Sequence, residues 1–354
     1  VLTLQAITPE RLAATVAGVT LAEARKLVSA IHRGRPVEAS SAVRRSAADA
    51  VRTAGSVPRL DLVEETASRL DPFVKYLLAA PDGARFEAVR IPLETPGRFT
   101  ACVSSQVGCA LACAFCATGR LGLSRNLEAW EIVEQVRVIR GRLPPAQIDG
   151  CAPKARVHGV VFQGMGEPLA NLDAVLDAIA VMTEPCALGI DARAITVCTA
   201  GLPGGIRRLA AEAPKVRLGI SIGSMLEERR SLMPITRAHA LDEVLAAAED
   251  HARATQLSPM WAVTLLDGVN DSLAHANALA DRARAFEAAT GKRPRISILA
   301  YNAIAGDPLL RNHRSPFGRS PRETEFRAAL GLPSHRRYSG GSDIGAACGQ
   351  LVSR

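Results

Sequence analysis

Five short apolar runs, "HGVVFQG", "AITVCTAG", "VRLGISIG", "PMWAVTLLDG" and "RISILAYN", recur along the chain, rich in β-branched residues and each closed by Gly, Asp or Asn. Between them lie helical stretches such as "NLDAVLDAIAVMTE", "ALDEVLAAAEDHARA" and "SLAHANALADRARAFEAATG". Strands that alternate with helices predict parallel βα units, because a parallel strand needs a long crossover to return. The runs are too continuously apolar to leave one face in water, so the sheet must be covered on both sides. Chemistry in such α/β folds gathers at the C-terminal ends of the strands, which places the Gly-rich and polar tips around one mouth. Residues 1–80 read instead as short amphipathic helices, for example "LAEARKLVSAIHRG" with Gly34 as a stop. From about residue 303 the rhythm fades. "AGDPLLRNHRSPFGRS" reads as a loop, "PRETEFRAALG" as a helix and the last dozen residues as a Gly-rich tail. The expected division is a helical N-terminal domain over 1–80, an α/β barrel over 81–310 and a C-terminal extension over 311–354.

With 354 residues, 48% of them hydrophobic and 22% charged, the chain can bury a full core and does not have the composition of a disordered protein. No run of about eighteen apolar residues occurs, so no membrane span is expected. The opening "VLTLQAITPERLAATVAGV" lacks a cationic stretch, which argues against a signal peptide and for a cytoplasmic protein. The net charge of +8 is uneven: residues 1–60 and 311–354 each carry a surplus of five positive charges, leaving the middle slightly negative. Nearly all of that charge is Arg, whose planar fork suits phosphate. Basic flanks fit a phosphate-rich partner, although a solvated basic surface would look the same. Aromatic residues make up only 4%, too few for a base-stacking platform.

Eight cysteines in such a chain point to metal binding or catalysis rather than to a disulfide frame. Four fall within "CVSSQVGCALACAFC", residues 102–116. Cys109, Cys113 and Cys116 form C-x3-C-x2-C ahead of the helix "NLEAWEIVEQVRVIRGR". A structural zinc site wants four ligands, and no second pair or suitably spaced His follows. Ferredoxin-type clusters also use four thiolates. Three thiolates leave one iron of a 4Fe-4S cluster without a protein ligand, the open position that catalytic metal chemistry requires. Phe115 adds an apolar cover, and Gly108 and Gly119 flank the loop.

C-x3-C-x-aromatic-C resembles the signature of the radical S-adenosylmethionine (SAM) superfamily, where the open iron holds the amino and carboxylate groups of SAM. The resemblance implies a partial (β/α)6-type barrel, a 4Fe-4S cluster and SAM as cofactors. "VVFQGMGEP", with Gly164, Gly166 and Glu167, resembles the motif that contacts the methionyl amino group, and a carboxylate at a strand tip suits an ammonium. "CVSSQVGC" at 102–109 and "DIGAACGQL" at 343–351 are similar to one subfamily, the RlmN/Cfr adenosine methyltransferases of 23S ribosomal RNA. The likeness runs over nearly the whole chain. It implies an RNA-binding N-terminal domain, a tail carrying a methyl-carrier cysteine, an electron donor such as flavodoxin or ferredoxin, and a monomer.

The chemistry that this resemblance implies explains the remaining thiols. Carbons 2 and 8 of adenine are electron-poor and cannot attack the methyl group of SAM, whereas a thiolate can. By the resemblance, Cys348 is methylated first, the methyl group is activated by loss of a hydrogen, and the carbon adds to the ring. A base then removes the ring proton, and a second thiolate releases the product through a transient disulfide. Cys102 is the matching thiol and Glu87 in "FEAVRIP" the matching base. That carboxylate would need burial to raise its pKa.

Cys198, Ser221, Ile222, Gly223 and Asn302 occupy strand tips that match SAM contacts of the family. Three departures stand out. "CTAG" places Cys198 where a serine is usual, "SIG" places Gly223 where a histidine is usual, and "PIT" places Thr236 where an asparagine is usual. Each removes or softens a hydrogen-bonding group, which leaves open a radical methylase acting on a small molecule or peptide. A non-catalytic iron–sulfur or zinc protein would have no use for Cys348. Cys151 and Cys186 match nothing and read as structural. "EERRSLMPI", "GVNDSLAHAN" and "GLSRNL" lean slightly toward the Cfr-like, C8-methylating branch.

Overall fold

The structure is a computed structural model that describes residues 1–144, 155–304 and 317–352. It opens with three helices, α1 (Pro9–Thr15), α2 (Leu21–His32) and α3 (Arg45–Ala54), and a small parallel pair of strands, β1 (Leu2–Thr3) and β2 (Gly55–Ser56). Thr20 starts α2 with a capping box: its hydroxyl accepts from Glu23 N while the Glu23 carboxylate accepts from Thr20 N. Helix α2 then buries Ala24, Leu27, Val28 and Ile31, the i, i+3, i+4, i+7 stripe of an amphipathic helix.

The helical reading of residues 1–80 stops at Ala54 and needs correction beyond it. Residues 61–79, expected to be helical, form two strands, β3 (Asp61–Ala67) and β4 (Val74–Ala79). With β5 (Arg85–Pro92) they make an antiparallel meander that pairs onto β6 (Arg98–Val103). The physical reason is in the pattern: "VKYLLA" buries on both faces, as a central strand does and a short surface helix does not.

From β6 the chain follows the expected alternation. A two-stranded hairpin, β7 (Gln106–Cys109) and β8 (Gly122–Asn126), encloses the short α4 (Ala117–Arg120) and leads into α5 (Ala129–Gly141). Then come β9 (Arg156–Phe162), α6 (Leu172–Thr183), β10 (Ile195–Thr199), α7 (Pro203–Glu212) and β11 (Arg217–Ser221). After these follow α8 (Arg229–Leu232), α9 (Leu241–Thr255), β12 (Met260–Leu265), α10 (Leu273–Thr290), β13 (Arg295–Ala300) and α11 (Glu323–Leu330). The six strands β6, β9, β10, β11, β12 and β13 are parallel neighbours in that order, the partial barrel that the sequence predicts. One further strand, β14 (Ser334–Arg337), pairs parallel to β13 and extends the sheet where a helix followed by a tail was expected. "SHRR" has no apolar residue, so only its partner reveals it as a strand.

The main core lies between the sheet and α5–α10, with Trp261 of β12 meeting Phe286 of α10 edge-on at 5.3 Å. Among the described residues no helix is long and apolar enough to cross a membrane. Most of the loop read at 305–320, and Cys151, lie outside the described residues.

Candidate active site

The C-terminal ends of β9, β10, β11, β12 and β13 border a cavity of about 130 Å³, and Cys109, Cys113 and Cys116 all line it. Cys109 ends β7 and Cys116 precedes α4, so the hairpin fixes both ends of the thiol loop. Within the loop Ala112 takes a left-handed φ of 51°, and Cys116 N donates to Cys113 O at 3.1 Å. Ala114 N donates to Leu232 O at 2.9 Å and ties the loop to α8. Gly119 permits the packing of α4 on the loop, since a Cβ there would meet Cys113 N at 2.9 Å. Leu111, Phe115, Met233 and Tyr301 close the cavity with apolar surface. Burial pushes the Cys109 thiol up to about 11 and raises Cys113 as well.

Among the described residues, no three His, Cys, Asp or Glu side chains converge as the ligands of a single metal ion. The three sulfurs share one apolar-walled cavity that also holds a buried carboxylate, so the donor set and surroundings suit a 4Fe-4S cluster with SAM beside it.

The carboxylate is Glu167, 3% exposed, on the second wall. Its Oε1 accepts from Leu169 N at 3.0 Å and its Oε2 from Ala200 N at 2.8 Å, while burial raises its pKa. Gly166 has φ 98°, and a Cβ there would lie 2.6 Å from the Gln106 side chain, so the turn at 164–167 can approach β7 only with glycine. A polar lattice holds this turn: Gln106 Oε1 accepts from Glu167 N at 2.8 Å, Ser104 Oγ accepts from Met165 N at 2.8 Å, and Asn171 Nδ2 donates to Ser105 O and Leu127 O. Gln135 of α5 accepts from Ser104 N and donates to Ser104 O. The sequence offered no sign of Gln106, Gln135 or Asn171, because each is polar, buried and defined only by partners distant along the chain.

Cys198 and Ser221 line the same cavity from β10 and β11. Burial pushes the Cys198 thiol up to about 12. Ile222 turns its side chain into the hydrophobic core, and Gly223 has φ 68° with its carbonyl accepting from Asn270 Nδ2 at 2.6 Å. A Cβ on Gly223 would meet Met233 Sδ at 2.7 Å, so a histidine would need Met233 to move. Thr236 has a buried hydroxyl without a hydrogen-bond partner among the described residues.

Arg229, unremarked in "EERRSLMPI", organises these tips. It is 2% exposed and donates to Ser221 O at 3.0 Å, to Ile222 O and to Ala200 O at 2.8 Å, joining the ends of β10 and β11. Burial lowers its pKa to about 10, which still leaves it cationic at neutral pH. Arg229→Leu removes the shared cationic donor of Ser221 O, Ile222 O and Ala200 O, of which Ile222 O keeps its bond from Ser224 N, and is expected to cost about 3 kcal/mol, read as a lowered urea midpoint. Arg229→Lys should recover little, because one ammonium cannot span both strands in the fork geometry.

The tail brings Cys348 into this cavity. Ala117 N donates to Gly349 O at 2.7 Å and Thr118 Oγ1 to Leu351 O at 2.7 Å, which docks the tail on the helix following Cys116. Asn302 lies outside the cavity lining: its Nδ2 donates to Cys348 O at 3.2 Å and to Ser339 Oγ at 3.1 Å, and Ser339 Oγ also accepts from Cys348 N at 2.8 Å. Gln163 Nε2 points at Cys348 Sγ, 3.5 Å away. Cys102 lines an adjoining pocket of about 70 Å³ that it shares with Gln163, Arg337 and Cys348, so Cys348 stands between Cys102 and the three-cysteine loop. Burial, then the neighbouring Cys348, pushes Cys102 up to about 12, while Arg337 opposes both thiols' rise. Arg337 belongs to the unforeseen β14, which is why the sequence did not single it out. The described cysteines are all free thiols, so no standing disulfide joins Cys102 to Cys348.

Glu87 lies on β5, 3% exposed, and lines a third pocket of about 350 Å³ with Lys75, Gln350 and Val352. Lys75 Nζ is 2.9 Å from Oε1, and Val352 N donates to Oε2 at 2.7 Å. Burial raises its pKa against the pull of Lys75. Cys186 lies apart, its thiol donating to Glu184 at 3.0 Å.

Residues 103–272 match the model of the radical SAM superfamily. A probable RNA methyltransferase of Sorangium cellulosum is 58% identical over 360 residues, 97% of this chain and 90% of that protein. The dual-specificity RNA methyltransferase RlmN of Syntrophobacter fumaroxidans is 41% identical over 283 residues, 79% of this chain and 76% of that one. The crystal structure of a radical SAM methyltransferase from Sphaerobacter thermophilus superposes with a TM-score of 0.82 at 34% identity, over 100% of this chain and 98% of that one.

Proposed function

Because the chain belongs to the radical SAM RNA methyltransferases of the RlmN type, we propose that it methylates carbon 2 or carbon 8 of an adenine in 23S ribosomal RNA, with Cys348 as the methyl carrier. The observation that carries this reading is the placement of Cys348 between the three-cysteine loop and Cys102. A cluster and SAM held by Cys109, Cys113, Cys116 and Glu167 would supply the methyl group and the one-electron chemistry that activates it.

The chain's own residues do the rest. Cys348 Sγ takes the methyl group, steadied by the Gln163 amide and by Asn302 and Ser339 on its backbone. Arg337, beside both thiols, favours their anionic forms. Glu87, kept apart from water and oriented by Lys75, takes the ring proton. Cys102 attacks Cys348 Sγ, so that a Cys102–Cys348 disulfide forms as the carbon–sulfur bond breaks, and the released electron pair passes to the one-carbon unit on the ring, which takes up a proton to become the methyl group. Ser221 and Cys198 border the SAM side, and the donors lost at Gly223 and Thr236 leave backbone groups to hold the cofactor there. The reductant would be a flavodoxin- or ferredoxin-class protein.

The test is anaerobically reconstituted protein given SAM, a reductant and a folded large-subunit rRNA fragment. The expected product is a methyladenosine, assigned by mass spectrometry against C2- and C8-methyl standards. Cleavage of SAM with RNA left unmodified across several fragments would defeat the RNA reading.

A further inference from the structure

A groove of about 960 Å³ lies between α2, the start of β3 and the last turn of α5, away from every thiol discussed so far. Six guanidinium groups line it: Arg33, Arg35, Arg59, Arg137, Arg140 and Arg142. Two acids share it, and both are engaged, Glu65 with Arg142 at 2.9 Å and Glu134 with Arg137 at 3.3 Å. The side chains of Arg33, Arg35, Arg59 and Arg140 have no ion-pair or hydrogen-bond partner among the described residues, and all four are exposed. The positive field is felt nearby: burial and then Arg137 and Arg140 push His32 down to about 3.

The groove opens on the reverse face of the sheet. Along β3 and β4, Glu64, Thr66, Lys75 and Leu77 face the pocket that holds Glu87 and the tail, whereas Leu62 and Glu65 face the groove. Side chains of a strand alternate between faces, and the bulge between Leu62 and Glu64 shifts that alternation by one residue, so the two openings lie on opposite sides of one sheet. An electron donor must come close to the cysteine cavity, which makes this face a poor place for one. Convergent guanidinium forks without carboxylate partners match phosphate oxygens.

We propose that this groove is a second docking site that grips the phosphodiester backbone of a folded RNA whose target base enters the cavity on the other face. The inference rests on the RNA-methyltransferase reading and deepens it. Contacts to phosphate position a nucleic acid without reading its bases. The groove therefore sets register, and only an RNA able to wrap the sheet edge, more than about 10 Å across, engages both sites.

The test compares wild type with R33E/R35E/R59E in the full chain, using a folded large-subunit rRNA fragment and a short single-stranded oligonucleotide as probes. For the folded fragment the triple variant is expected to bind at least about tenfold more weakly, with the slope of log K against log salt reduced by roughly 3. KM for that fragment should rise more than kcat falls, and the oligonucleotide should lose far less. R33K/R35K/R59K should keep most of the affinity, which separates charge from folding damage. Unchanged affinity and salt slope in the glutamate variant would overturn the groove assignment while leaving the methyltransferase reading intact. So would loss of binding to an acidic flavodoxin-class protein with RNA affinity unchanged. If the wild type bound no RNA at all, the assignment would fall together with the RNA reading.

Discussion

Cys348→Ala protein is expected to yield neither methylated RNA nor a protein–RNA crosslink, whereas Cys102→Ala is expected to accumulate the crosslink and release almost no product. The two outcomes differ because, in the proposed mechanism, the thiols act at different stages. Without the Cys348 sulfur there is no nucleophile to accept the methyl group, and carbons 2 and 8 of adenine cannot substitute for it. Without Cys102 the carbon–sulfur–RNA link can form but nothing cleaves it, since exchange at sulfur needs an attacking thiolate within reach. The geometry favours Cys102 for that step, because it shares a pocket with Cys348 and Arg337. Cys198 also neighbours Cys348 from the cavity side. If Cys198 were the resolving thiol, Cys102→Ala would turn over normally and Cys198→Ala would trap the link. Denaturing gels with labelled RNA and intact-protein mass spectrometry distinguish these cases.

Replacing any one of Cys109, Cys113 or Cys116 with serine is expected to abolish iron retention and cleavage of SAM, a loss of several orders of magnitude in rate. A cubane held by three thiolates has no spare ligand, and a hydroxyl is a far weaker one for iron. Cys186→Ser serves as the control. That thiol lies outside the cavity, bonded to Glu184, so iron content and visible absorbance after anaerobic reconstitution should match wild type. Equal iron loss in Cys186→Ser would count against the assignment of the three-cysteine loop.

Both predictions start from residues that could be read along the chain. C-x3-C-x2-C within one hairpin loop is a local pattern, as are the strand-closing glycines at 164 and 166, and local patterns survive translation into structure with little help. Glu87 illustrates the middle ground. Its match to the family's base was legible, but its burial, its partner Lys75 and its bond to Val352 N came from three segments meeting. Asn302 was read as a cofactor contact, and the structure adds what the sequence could not show, its bonds to Cys348 O and to Ser339 Oγ, which holds Cys348 N. The strands at 61–67, 74–79 and 334–337 were not legible, because a short strand is stabilised by its neighbours more than by its own composition.

By itself the sequence determined the rhythm of five strands alternating with helices and the cluster of thiols in a single loop, because period and spacing act over a few residues. Tertiary structure alone decided that Cys348 meets Cys102, that Arg229 ties two strand tips, and that six arginines converge on the sheet's reverse face. Those meetings depend on how distant segments pack, and packing is a property of the whole core rather than of any stretch within it.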